Sequence, residues 1–223
     1  MAMNTDHLAT LRLLTWLSPS FPVGAFSYSH GLESAVHDCA VSTRAELAEW
    51  LADLIARGSF RNDAILLAEA WHAAAAGDLA RLRQVAELAE AMALTAERHL
   101  ETMDQGRSFI AAARAWIAPP QWDFAMPYPV AVGAVAGTMK VSRDSICLAF
   151  LHGAAANLVA AAIRLIPLGQ SEGTAVMASL ESLLIATATL AADSSLADLG
   201  SATFMTDMAA MRHESMGVRL FRS

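Results

Sequence analysis

Apolar residues recur along most of the chain at the three- and four-residue spacing of amphipathic helices. The clearest case begins at Thr43, where a glutamate three positions later, Glu46, completes the sequence pattern of a capping box. Beyond this cap, apolar residues follow at i, i+3, i+4, i+7 and i+8: Leu47, Trp50, Leu51, Leu54 and Ile55. Gly58 predicts the end of this helix.

The same spacing, with Gly and Pro as terminators, predicts helices along the rest of the chain. They cover residues 5–17, 63–76, 79–93, 96–117, a stretch from 130 onward, a stretch between Ser142 and Pro167, and 171–192. A proline-rich loop is expected over 119–129, and a short helix or turn over 196–211. No alternating strand pattern and no internal repeat is present. The sequence therefore predicts an all-α protein, a single-domain multi-helix bundle over residues 1–223.

One predicted helix is unusually apolar, because Ile146 to Ile163 is eighteen residues without a formal charge. That length reaches the lower limit for a membrane span. However, alanine dominates the stretch, and Arg143, Asp144 and Arg164 flank it closely. We therefore expect a fully buried, alanine-rich central helix and no membrane span. Its small residues also predict close packing, either within the chain or between two copies through residues 130–165.

Composition narrows the possible partners and compartments. The chain has 223 residues, 55% of them apolar, and a formal net charge of −7 with Lys140 as its only lysine. This acidic balance argues against nucleic acid, since phosphate binding needs clustered cations. Cys39 and Cys147 follow no metal or redox spacing, and no stretch resembles a secretion signal. A cytoplasmic location is expected.

Motifs for nucleotide binding or hydrolysis are absent from the sequence. It contains no P-loop, no dinucleotide-binding glycine pattern and no nucleophile elbow. Ser27, Ser29 and His30 are neighbours in sequence, but adjacent side chains on a helix face apart. We predict no catalytic residue and no cofactor.

A metal-dependent enzyme stays open as an alternative because Glu69 and His72 form a Glu-x-x-His pattern. Four-helix di-metal carboxylate enzymes use this spacing, but they need a second copy, which the sequence lacks. The seven histidines are otherwise dispersed, so we predict no metal ligands. A small α-helical regulator that binds an acyl or apolar ligand in the alanine-rich core is a further alternative.

The stretch from Leu17 to Glu33 interrupts the helices with two prolines and two glycines. It predicts a rigid turn in which Phe26 and Tyr28 pack inward. Residues 21–33 also resemble the N-terminal signature of the urease accessory protein F family (UreF), roughly P-x-G-x-F-x-x-S-x-G-L-E. The residues in register are Pro22, Gly24, Phe26, Ser29, Gly31, Leu32 and Glu33. Many members of that family have an Asp where this chain has Pro19.

Three later segments add to the resemblance. Residues 97–107 resemble the family's E-R-x-x-S-x-x-x-G helix and include Arg98 and Gly106. Residues 162–170 resemble its A-x-R-L-x-P-L-G-Q segment and include Arg164 and Gln170. The end of the chain resembles its M-R-H-E…R-L-F-x-S tail, with Arg212, His213, Glu214, Arg219, Leu220 and Phe221.

This resemblance implies a non-enzymatic accessory protein that acts in nickel insertion. Its expected partners are a scaffold protein (UreD or UreH), a nickel-carrying GTPase (UreG), apo-urease and a second copy of this chain. The residues in register with the family are the candidates for partner binding. The resemblance, together with three arginines and one acid from residue 211 onward, also predicts a flexible tail over residues 212–223 that docks when the scaffold binds.

Overall fold

The computed structural model describes residues 5–118 and 122–223 and confirms the prediction of an all-α, single-domain protein. Within these residues the chain forms helices joined by turns and loops, without a strand. The helices are α1 (Thr5–Trp16), α2 (Leu32–His37), α3 (Arg44–Arg57), α4 (Ser59–Ala76), α5 (Leu79–Ala91), α6 (Ala96–Ala113), α7 (Tyr128–Thr138), α8 (Arg143–Leu165), α9 (Gln170–Asp193) and α10 (Phe204–His213). Two 3-10 turns lie at Ala25–Ser27 and Leu196–Asp198.

The capping box predicted at Thr43 is confirmed. The Thr43 hydroxyl accepts a hydrogen bond from the Glu46 amide at 3.3 Å, and the Glu46 carboxylate accepts one from the Thr43 amide at 3.0 Å. These bonds satisfy donors that the first turn of a helix leaves free. The five apolar residues predicted for the inner face of α3 are all buried.

Other predicted boundaries differ from the structure by a few residues. α4 begins at Ser59, directly after Gly58, rather than near residue 63, and α6 ends at Ala113 rather than near 117. Part of the predicted loop, residues 119–121, lies outside the described residues, and 122–127 is irregular. α7 begins with Pro129 in its first turn, where a missing backbone donor costs nothing.

The core is built around α4 and α7, which lie in direct backbone contact. A Cβ added at Gly133 of α7 would lie 2.2 Å from the carbonyl oxygen of Leu67 on α4. One added at Gly137 would lie 2.4 Å from the carbonyl oxygen of Trp71. This small-residue pair therefore belongs to an internal helix contact and is not available to a second copy.

The structure corrects the position of the most buried helix. α8 was expected to be buried on all sides, but it buries one face and leaves His152 and Ala160 exposed. α7 is the enclosed helix instead, buried from Pro129 to Gly137. The reason is that α4, α5, α6 and α8 all pack against α7, whereas α8 has no helix over its outer face within the described residues.

α8 and α9 are long and apolar enough to be candidate membrane spans by length and composition alone. Both pack within the bundle, α8 against α9 and α4, and α9 also against α3. Each thus has one face among other helices, as core helices of soluble proteins do.

Candidate partner-binding site

The turn between α1 and α2 depends on two glycines with left-handed backbone conformations, Gly24 (φ 75°) and Gly31 (φ 78°). Tyr28 packs inward as predicted, with 2% of its surface exposed. The prediction for Phe26 was wrong, because its side chain is 67% exposed. Its backbone faces the protein instead, where the Phe26 carbonyl accepts a hydrogen bond from Arg164 of α8 at 3.2 Å.

Gly31 is the point at which this turn touches α10. A Cβ there would lie 2.6 Å from the backbone nitrogen of Ala210. Only glycine allows both this approach and the positive φ. The contact brings the last helix of the chain onto α2. The two stretches that resemble the first and last motifs of the UreF family therefore lie side by side.

The C-terminal segment, residues 214–223, continues from α10 along the same turn. The Arg222 amide donates to the Ser27 carbonyl, and the Ser29 amide donates to the Ser223 carbonyl, both at 2.8 Å. The buried Ser29 hydroxyl also donates to the Ser223 carbonyl. The sequence predicted that residues 212–223 form a flexible tail that docks when the scaffold binds. The structure places them against the protein, because Ser27 and Ser29 present backbone groups that pair with them.

Glu33 is the main acceptor for this C-terminal segment. Its carboxylate accepts hydrogen bonds from the Leu220 amide at 2.7 Å and the Phe221 amide at 2.9 Å. It also lies 3.1 Å from Nε2 of His213. Burial acts to raise the pKa of Glu33, but these hydrogen bonds outweigh burial and hold the pKa below its usual value. The carboxylate therefore stays ionised at neutral pH.

His213 and Arg219 tie the segment to α6 as well. Nδ1 of the fully buried His213 lies 2.7 Å from a carboxylate oxygen of Glu97, and Arg219 pairs with the other oxygen. We call Glu33, Glu97, His213 and Arg219 the C-terminal clamp. The clamp connects α2, α6, α10 and the last residues of the chain through ionisable side chains.

The remaining tail residues add contacts around the clamp. The Glu214 carboxylate accepts a hydrogen bond from the Ala96 amide at 2.7 Å, so the end of α10 caps the start of α6. Arg212 pairs with Asp38 at 3.0 Å on the surface. Phe221 is buried, and the guanidinium of Arg164 lies 4.4 Å from its ring centroid, within cation–π distance.

Arg98 belongs to a second ionic cluster deeper in the protein. It lies 2.8 Å from Glu101 and 3.4 Å from Asp63, and Nε2 of His30 is 2.7 Å from Glu101. Burial would raise the pKa of Glu101, but His30 and Arg98 outweigh it and lower the pKa to about 2. Burial dominates for Asp63 and raises its pKa despite Arg98.

This cluster lines two cavities of about 380 and 260 Å³, and His30, Asp63 and Arg98 border both. Sequence reasoning missed His30, Asp63 and Glu101 as members of a common site. The i, i+3 spacing of Arg98 and Glu101 was the one available signal. Asp63 and His30 come from other parts of the chain, and no sequence pattern linked them to Arg98.

The structure does not bring every candidate into one place. Around the clamp it assembles Ser29, Gly31, Glu33, Arg164, His213, Glu214, Arg219, Leu220 and Phe221. Gly106 lies on α6 beneath the 122–127 loop, where the Met126 carbonyl would be 2.0 Å from an added Cβ. Pro22 and Gln170 are exposed, at the turn and at the start of α9.

The metal-enzyme alternative finds no support among the described residues, which hold no group of His, Cys, Asp and Glu suited to a metal ion. Glu69 of the Glu-x-x-His pattern pairs with Arg81 at 2.6 Å. Nε2 of His72 lies 2.7 Å from a guanidinium nitrogen of Arg143. Both side chains are thus engaged with arginines on other helices.

Comparison with known proteins shows the family to which the chain belongs. A family model described as UreF matches residues 41–181. The chain is 54% identical over 218 residues to "Urease accessory protein UreF 1" of Brucella anthropi, covering 96% of this chain and 94% of the relative. It is 50% identical over 222 residues to "Urease accessory protein UreF" of Rhodopseudomonas palustris, covering 96% and 93%. The chain therefore belongs to the UreF family, whose members are accessory proteins of urease and not enzymes.

Proposed function

We propose that this protein is an assembly component that helps a nickel-carrying GTPase deliver nickel to apo-urease. In this role it binds a scaffold of the UreD/UreH type and the GTPase (UreG) in the cytoplasm. Family membership supports the proposal, as does the lack of any nucleotide-binding motif in the sequence. GTP chemistry would then belong to the partner.

The observation that carries the proposal is the composition of the C-terminal segment where it lies on the clamp. Several of its polar groups pair with the protein, and Phe221 is buried, but the neighbouring apolar side chains face outward. Leu220 is 68% exposed, Met211 51% and Val218 89%. Exposed apolar side chains on a segment that is held by ion pairs and hydrogen bonds suit a protein-binding surface. We assign this surface to the scaffold partner.

A second surface suits a homodimer. Phe26 is exposed beside a groove between the α1–α2 turn and α8, and the groove is lined by the α8 residues His152, Ala156 and Ala160. Small residues allow close approach of a second helix, and Phe26 offers an apolar anchor. The dimer contact proposed here uses α8 and excludes α7, which is buried within the chain.

Partner binding is tested by Leu220→Asp in the full-length protein, co-purified with scaffold and GTPase and assayed for urease activation. We expect loss of scaffold binding and of activation, with an unchanged melting temperature because Leu220 is exposed. The matched control is Ile185→Asp, which places the same charge on an exposed residue of α9. Normal assembly and activation by Leu220→Asp would contradict the assigned surface.

The dimer is tested by Ala160→Trp, with mass measured by light scattering at micromolar concentration. We expect a dimer for the wild type and a monomer for the variant, because the bulky ring fills the groove. Ala178→Trp on the exposed face of α9 is the control and should stay dimeric. A monomeric wild type, or a dimer that tolerates Ala160→Trp, would refute this interface.

A further inference from the structure

His213 has both ring nitrogens opposite carboxylates. Nε2 lies 3.1 Å from Glu33, and Nδ1 lies 2.7 Å from Glu97. A neutral imidazole has one donor, whereas the imidazolium has two. Only the protonated ring can therefore donate to both carboxylates. We propose that His213 is a proton-operated latch, which holds the C-terminal segment against the protein when protonated and loosens it when neutral.

The charges that face His213 make this proton matter. Glu33 comes from α2, Glu97 from α6, and Arg219 from the C-terminal segment. Two carboxylates thus face one permanent cation, and the imidazolium supplies the second positive charge. At the end of α10, Arg212 pairs with Asp38 and so does not replace that positive charge. The neighbouring acid, Glu214, caps α6.

Burial prevents water from taking over the missing hydrogen bond. The His213 side chain is fully buried, and the side chains of Glu33 and Glu97 are 8% and 14% exposed. Loss of the proton places a nitrogen lone pair against a carboxylate oxygen in a nearly dry site. Such a contact is unfavourable, since a buried charge needs a donor.

The latch acts on the segment because both carboxylates also hold it directly. Glu33 accepts from the Leu220 and Phe221 amides, and Glu97 pairs with Arg219. A carboxylate repelled by neutral His213 turns away from these partners too. Docking therefore weakens as pH rises and His213 loses its proton.

The test is hydrogen exchange of the full-length protein by mass spectrometry, read on peptides that cover residues 214–223 and corrected for intrinsic exchange. We expect protection of the Leu220 and Phe221 amides to fall about tenfold between about pH 6 and pH 8.5, the value of one charge-assisted hydrogen bond. Peptides from α4 and α7 serve as an internal reference and should not change. Equal protection of the segment at both pH values would overturn the latch.

Two variants separate the latch from ordinary packing. His213→Gln has one donor group that does not titrate, so the segment should show low protection at both pH values. Glu97→Gln offers a donor to neutral His213 and should flatten the pH dependence. His152→Gln, an exposed histidine on α8, is the control and should behave as wild type. Should His213→Gln also unfold α4 and α7, Glu97→Gln alone decides; a wild-type pH response in Glu97→Gln would refute the proposal.

Discussion

Glu101 and Asp63 illustrate how local geometry sets the direction in which the pKa of a buried acid shifts. Both flank Arg98, but Glu101 lies 2.8 Å from it and also meets His30, while Asp63 lies 3.4 Å away. The pKa of Glu101 falls to about 2, and that of Asp63 rises because burial outweighs Arg98. The nearer acid is thus the one whose ionised form Arg98 stabilises more strongly.

This difference predicts an acid-dependent part of the protein's stability. A carboxyl group whose pKa is lowered on folding stabilises the fold above its ordinary pKa, and this contribution disappears as pH falls toward the folded value. For Glu101 the window runs from about 4.5 down to about 2. The shift corresponds to an unfolding free energy on the order of 3 kcal/mol.

We expect Glu101→Gln to be less stable than wild type at neutral pH and to lose less stability between about pH 4.5 and pH 2. Urea unfolding at a series of pH values measures this, with Glu49→Gln on the exposed face of α3 as control. Parallel pH curves for Glu101→Gln and wild type would contradict the role given to Glu101.

At the scale of elements, the contact between α4 and α7 determines the core. The added-Cβ distances at Gly133 and Gly137 leave no room for a methyl group between the two backbones. The helices touch through backbone atoms, so larger side chains would separate them and open gaps among the neighbouring helices.

We expect Gly133→Ala to lower the free energy of unfolding by roughly 3 kcal/mol, because the methyl group would overpack the contact with Leu67. Chemical denaturation measures the change. Gly200→Ala is the matched control, since nothing lies within 4 Å of a Cβ there. If Gly133→Ala unfolds like Gly200→Ala, the close contact does not limit stability.

At the scale of the whole molecule, the C-terminal segment joins elements that are far apart in sequence. It connects the α1–α2 turn, α2 and α6 to α10. The prediction of a flexible tail implied that its removal would leave the melting temperature nearly unchanged. The contacts in the structure imply the opposite, because removal eliminates the buried Phe221 ring and the hydrogen bonds that the Leu220 and Phe221 amides donate to Glu33.

We therefore expect deletion of residues 212–223 to lower the melting temperature by about 5–10 °C. Phe221→Ala should produce part of this loss, since it removes a buried ring. Leu220→Ala should produce none, because that side chain is exposed. Calorimetry of the three variants measures the effect, and an unchanged melting temperature after deletion would show that docking contributes no stability.

The sequence by itself determined the helical class, most helix positions, the Thr43 cap and the family. These depend on neighbours within a few residues, where spacing, capping groups and glycine or proline act directly. The tertiary structure decided which helix is enclosed, that Phe26 faces outward, and that Glu33, Glu97 and His213 meet. Glu33 and His213 are 180 positions apart, and local patterns carry no information on such a distance. Packing of α10 on Gly31 brings them together, which no spacing rule along the chain encodes.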